Sequence, residues 1–293
     1  MSNHTKINLL AYASGIAGAD LHCGEGPLVV QQSFHAKPAS WEATIFPSTV
    51  TELRVDEKVQ LMCEALAKKV SEIITRKNFP IVLGGDHTSA IGTWSGVYDA
   101  LHVQGDLGLI WIDAHMDSHT PETTESGRLH GMPLASLLGY GYPTLTNILH
   151  FSPKIKPKNL CLIGVRSFER GEAALLKRLK VRIYDMDEIR TRGLPVVFEE
   201  AMQLVCQHTI GYGISLDLDS IDPQEMPGVD VPAPNGLHAA ELFAEIIKIM
   251  KDPKLFALEI VEFDPSRDIE HKSKTWIINL LEHIIKRRLH DDT

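Results

Sequence analysis

Leu107-Gly108-Leu109-Ile110-Trp111-Ile112 runs straight into Asp113-Ala114-His115-Met116-Asp117. The first six residues are mostly β-branched, aliphatic or aromatic and too few for a core helix, so they read as a buried strand. Side chains alternate along a strand, so Asp113, His115 and Asp117 point to one side of its carboxyl end. Three more strand-like runs finish in the same way. Pro80–Leu83 leads into Gly84-Gly85-Asp86-His87. Gly213–Leu218 carries Asp217-Leu218-Asp219 at its end, with Asp222-Pro223 beyond. Phe256–Val261 leads into Glu262 and then Asp264-Pro265.

Outward from these four, Ile7–Tyr12, Asn159–Val165 and Val181–Tyr184 have the same strand character. Between the strands lie stretches of helical period. In 56–78, Val59, Met62, Leu66, Val70, Ile73 and Ile74 recur on one face. Similar patterns fall near 88–101, 171–180, 195–208, 238–251 and 274–288. The stretch 14–55 is rich in Pro, Gly and Ser and shows no clear period, and 118–131 reads as a polar loop. Repeated strand–helix–strand units predict a mostly parallel sheet covered on both faces. The expected fold class is therefore α/β, a single three-layer α/β/α domain over 1–293. In such a sheet, ligands bind outside the carboxyl ends of the strands. The four polar ends should then meet in one crevice.

Composition narrows what that crevice would hold. The 293 residues include 29 Lys+Arg and 38 Asp+Glu, a formal charge of -9. That balance disfavours nucleic acid, whose phosphates are met by basic side chains, and anionic membrane surfaces. No run of ~18 apolar residues predicts a membrane span. Cys23, Cys63, Cys161 and Cys206 are scattered singles, neither a disulfide framework nor a zinc ribbon. Ile7–Ala19 is moderately apolar, but Ser14, Gly15 and Gly18 interrupt it, so no secretory signal is expected. The implied setting is a reduced cytoplasm.

The pool at the strand ends is Asp113, Asp117, Asp217, Asp219, His87 and His115. Four ionised carboxylates held together would repel one another strongly and lose hydration. Two divalent cations would cancel that charge. Oxygen-rich donors with imidazole and no thiolate favour Mn²⁺, and a two-metal site generates a nucleophilic hydroxide at neutral pH. Asp222 and Asp264, each followed by proline, read as helix caps instead. Asp86 reads equally as an orienting carboxylate behind a ligand or as a turn residue.

Gly84-Gly85-Asp86-His87-Thr88, Asp113-Ala114-His115-Met116-Asp117 and Ser215-Leu216-Asp217-Leu218-Asp219-Ser220-Ile221-Asp222-Pro223 resemble the three signature motifs of the ureohydrolases. That group includes arginases and agmatinases. The resemblance extends from Gly24-Glu25-Gly26-Pro27 to Glu262, Ser126–Pro133 resembles arginases more than agmatinases, and the chain is most similar to arginases of bacterial type. It implies two Mn²⁺ ions, one held by His87, Asp113, Asp117 and Asp217, the other by Asp113, His115, Asp217 and Asp219. Hydroxide between them would attack a guanidinium carbon. It implies catalytic roles for His130, Glu262 and Asp117, with Glu262 pairing with the guanidinium and His130 moving protons. Around the rim, Ser126 matches a residue for the substrate carboxylate, and Glu169 and Glu172 match acidic positions near the amino group. His119 and Arg128 stand where arginases carry asparagine, and Val231 where threonine is common. Assembly as a homotrimer or homohexamer is also implied.

Three functions follow as expectations. The first is hydrolysis of L-arginine to L-ornithine and urea. The second keeps the reaction on another guanidino compound, agmatine or a guanidino acid. The third is a catalytically silent metal-dependent ligand-binding protein, which the full set of ligands argues against.

Overall fold

A computed structural model describes residues 6–35, 37–151 and 153–289. Eight strands form one sheet: β1 (Ile7–Tyr12), β2 (Ser40–Ile45), β3 (Phe79–Gly84), β4 (Leu107–Ile112), β5 (Leu160–Val165), β6 (Arg182–Asp185), β7 (Gly211–Asp217) and β8 (Leu255–Val261). Their order is β2-β1-β3-β8-β7-β4-β5-β6, and every pairing is parallel. The four strands with polar ends, β3, β8, β7 and β4, are consecutive and central. A parallel neighbour needs a crossover, and helices supply it on both faces.

Alternation along the strands divides the core in two. Ile81, Leu83, Ile110 and Ile112 face one layer of helices, Val82, Leu109 and Trp111 the other. On the second face, helix Val55–Thr75 packs against helix Ser89–Leu101. Gly96 permits that approach, since a Cβ there would stand 2.4 Å from the Ala67 carbonyl oxygen.

The expected helices are found at Val55–Thr75, Ser89–Leu101, Arg170–Leu179, Leu194–Cys206, Ala239–Ile249 and Lys272–Leu289. The stretch without a clear period holds a short helix, Gly26–Ser33, and the edge strand β2. β2 packs only one neighbour and stays half-exposed, so it carries no strong hydrophobic alternation. Asp222 and Asp264 pin turns rather than helices: Asp222 accepts the Gln224 and Gly236 amides, and Asp264 the Ser266 amide. Among the described residues, no helix is long and apolar enough to cross a membrane.

Candidate metal centre and active site

The strand ends converge as their central positions require. His87 Nδ1 lies 3.0 Å from Asp117 Oδ2, 3.0 Å from Asp217 Oδ2 and 3.4 Å from Asp113 Oδ2. His115 Nδ1 lies 3.0 Å from Asp219 Oδ2 and 3.5 Å from Asp113 Oδ1. Asp113 thus turns one oxygen to each imidazole. His87 Nδ1 is buried and has no hydrogen-bond partner, although three carboxylate oxygens surround it. Donors that crowd a point without bonding one another fit a shared cation. The set is oxygen and imidazole nitrogen throughout, and two dications would balance its four carboxylates.

Burial raises the Asp217 carboxyl well above its ordinary range, and the nearby Asp219 and Asp113 charges add to this. Asp117 is pushed up to about 6, first by burial and then by Asp113. The charge these groups lack a partner for is therefore felt across the cluster.

Several residues hold the donors in place. His87 Nε2 meets Ser215 Oγ at 3.0 Å, and Ser215 donates to Glu259 Oε2 at 2.8 Å. Glu259 Oε1 takes the hydroxyls of Ser89 and Thr93. Trp111 stacks on the His87 ring at 4.2 Å, and its Nε1 donates to Asp113 Oδ2 at 2.8 Å. Such outer partners fix the ring orientation of metal-binding histidines. Arg166 donates to the carbonyls of Asp219, Ser220 and Ala233, tying the loop after β7 to its neighbours. No role was legible for Ser215, Glu259 or Arg166 in the sequence. A glutamate inside the apolar run Leu258-Glu259-Ile260 was the one available signal, since a fully buried charge needs partners.

Asp86 proves to be a turn residue. Its Oδ1 accepts the Thr88 amide and hydroxyl, and its Oδ2 accepts the Ala17 amide at 3.3 Å. Gly85 lets the turn pass close to the first loop, because a Cβ there would lie 2.1 Å from the Ser14 carbonyl oxygen.

Glu262 Oε1 accepts the His87 amide at 2.8 Å and faces His130 Nδ1 at 3.2 Å, while its Oε2 is buried without a partner. Burial works to lower the His130 pKa, but the Glu262 contact and charge outweigh it and lift it to about 9. Asp117 and Glu262 both adopt left-handed backbone, with φ of 47° and 65°. Non-glycine residues held there carry strain of order 1–3 kcal/mol each, a feature concentrated at functional sites.

These side chains floor a cavity of about 440 Å³ bounded by His115, Asp117, Asp217, Asp219, His130 and Glu262. His87 and Asp113 are buried out of reach of it. The rim carries all five expected residues, His119, Ser126, Arg128, Glu169 and Glu172. His119 Nε2 hydrogen-bonds Glu169 and lies 3.4 Å from Glu172 Oε2. Burial first, then the Asp117 charge, push Glu172 up to about 8. Ser126 and Arg128 are exposed and do not join that network; Ser126 Oγ accepts the Arg128 amide.

A sequence profile of the Arginase family matches residues 30–286. The chain belongs to the arginase family. It is 41% identical over 226 residues to arginase of Bacillus caldovelox, covering 77% of this chain and 75% of that one. Arginase of Brevibacillus brevis is 40% identical over 244 residues, 83% of this chain and 80% of its own. The fold agrees: the crystal structure of the Bacillus caldovelox arginase superposes with a TM-score of 0.88 at 33% identity, covering 95% of this chain and 97% of that one. As an arginase-family enzyme it is a metal-dependent amidino hydrolase with a binuclear metal site.

Proposed function

We propose that this protein hydrolyses L-arginine to L-ornithine and urea, using two Mn²⁺ ions. His87, Asp113, Asp117 and Asp217 would hold one ion, and Asp113, His115, Asp217 and Asp219 the other. The observation that carries the reading is the unpartnered His87 Nδ1 ringed by three carboxylate oxygens. Two cations held there would offset the buried charge and supply a hydroxide nucleophile at neutral pH.

The chain's own residues do the rest. Glu262 has one oxygen fixed by the His87 amide and the other free, which suits a planar cation with paired N–H donors. That contact positions the guanidinium carbon above the metal-ligand cluster. His130 is the proton carrier. Its raised pKa of about 9 keeps it protonated at neutral pH, so it can donate to the departing amine nitrogen. Asp117 acts as both ligand and wall of the cavity. At the rim, Glu169 attracts the substrate amino group with Glu172 beside it as an acceptor, and His119, Ser126 and Arg128 attract the carboxylate. His119 bonded to Glu169 links the two halves of that recognition. We place the enzyme in the cytoplasm as a homotrimer or homohexamer, with no nucleic-acid or membrane partner.

The test is urea release from a panel of guanidino compounds by metal-stripped and Mn²⁺-reloaded protein. L-Arginine should give the highest kcat/KM, and only after reloading. Preference for agmatine or a guanidino acid would overturn the substrate. A fully loaded protein that releases no urea would point to ligand binding without catalysis.

A further inference from the structure

Glu262 belongs to a second set of converging donors. Cys23, Asp230 and Glu262 each bring one ligand-capable atom within 4.8 Å of the other two. All three are buried, at 0%, 3% and 3% exposure. Each carboxylate is anchored through one oxygen and unsatisfied at the other. Glu262 Oε1 accepts the His87 amide, while Oε2 is buried with no partner. Asp230 Oδ2 accepts the Ala19 amide at 2.7 Å, while Oδ1 is buried with no partner. The Cys23 thiol makes only a long contact to the Asp20 carbonyl, at 3.9 Å. Gly18 leaves the place open: a Cβ there would lie 2.9 Å from Asp230 Oδ2 and 3.5 Å from Cys23 Sγ. His130 meets only Oε1 of Glu262, so Glu262 Oε2 and Asp230 Oδ1 remain buried and unpaired, an arrangement that a cation between them would relieve. A thiol as third donor selects a softer ion than the oxygen-and-imidazole cluster does.

We propose that Cys23, Asp230 and Glu262 form a separate site for a thiophilic divalent cation of the Zn²⁺ or Cd²⁺ type, whose occupation takes Glu262 away from the guanidinium. On binding, the Cys23 sulfur–hydrogen bond breaks, its proton passes to solvent and a sulfur–metal bond forms. Two carboxylates and one thiolate then face one dication. The amide bonds to Glu262 and Asp230 act as the outer partners that orient ligands in built metal sites. Inhibition competitive with substrate follows, and this part rests on the arginine reading above; the binding itself does not.

Cd²⁺ added to the Mn²⁺-loaded protein should produce an ultraviolet thiolate-to-cadmium charge-transfer band, which the thiol-free metal ligands cannot give. The band should vanish in Cys23→Ser and persist in Cys206→Ser, the cysteine that is only partly buried. Asp230→Asn, of the same shape, should weaken Cd²⁺ binding by about 10-fold or more. Cys23→Ser should keep basal urea release, showing that it folds, and should lose the competitive inhibition. A band that survives in Cys23→Ser, or no band in the unaltered protein, overturns the site. Absence of urea release in every sample would sink the arginine reading alone, because the band still decides the site.

Discussion

At the scale of single residues, Glu262 and His130 form the most informative pair. Glu262→Gln keeps the shape and the His87 amide bond but removes the charge. Metal content should stay the same while kcat/KM falls about 100-fold or more, the order lost with one preorganised electrostatic contact. The same substitution should move the His130 titration, read by NMR, from about 9 toward an ordinary imidazole value. Its sign for stability is set by the raised pKa. The ion pair stabilises the fold below the ordinary histidine range and loses that contribution as pH rises through about 9. Alternation does not gather the residues of the metal cluster, since β4 ends at Ile112 and Asp117 turns back with a left-handed φ of 47°. They were legible because they follow directly on apolar strands. Asp86 was not, because its role depends on the amides it meets, those of Thr88 and Ala17, and Ala17 is far away in sequence. Glu259 illustrates the same limit, and carries its own expectation. Glu259→Ala leaves Ser215 unanchored behind His87, so Mn²⁺ affinity measured by calorimetry should drop about 10–100-fold.

At the scale of elements, strand β3, its glycine turn and helix Ser89–Leu101 work as one unit. The strand brings His87 to the crevice, and the helix returns Ser89 and Thr93 to Glu259 on β8. Gly96 lies on the outer face of that unit, where helix Val55–Thr75 crosses it. Gly96→Ala should cost about 1–3 kcal/mol by overpacking, seen as a lower midpoint in denaturant unfolding with little change in KM. An unchanged midpoint would mean the two helices can separate freely. The central elements were readable because they are buried on both faces and so almost wholly apolar. β2 and helix Gly26–Ser33 were not, because an edge strand and an eight-residue helix opening with Gly-Pro owe their form to neighbours rather than to their own pattern.

At the scale of the whole molecule, the charge of -9 includes four carboxylates buried in one spot. A fold that concentrates like charge in this way should depend on its cations for stability. Chelation should therefore lower Tm, and added Mn²⁺ should raise it in a concentration-dependent manner. Binding restricted to the native state contributes about 2.7 kcal/mol at a hundredfold excess over Kd. A Tm indifferent to chelator and metal would argue against a loaded centre. The thirteen residues expected at the site all lie at or just behind one crevice, yet the sequence did not tell which rim residues bind each other. His119 sits against Glu169 through a fold of the loop that no local period encodes.

The strand order has a temporal meaning as well. β8 stands between β3 and β7, so β2-β1-β3 and β7-β4-β5-β6 share no strand pairing without it. Synthesis proceeds from the amino terminus, and β8 is the last strand to appear. A chain ending before Leu255 lacks the strand that pairs with both groups, with His87 after β3 on one side and Asp113, His115, Asp117, Asp217 and Asp219 after β4 and β7 on the other. The set Asp113, His115, Asp217 and Asp219 can thus gather on β4 and β7 early, whereas His87 is joined to it, and Glu262 supplied, only by the last seven-residue strand.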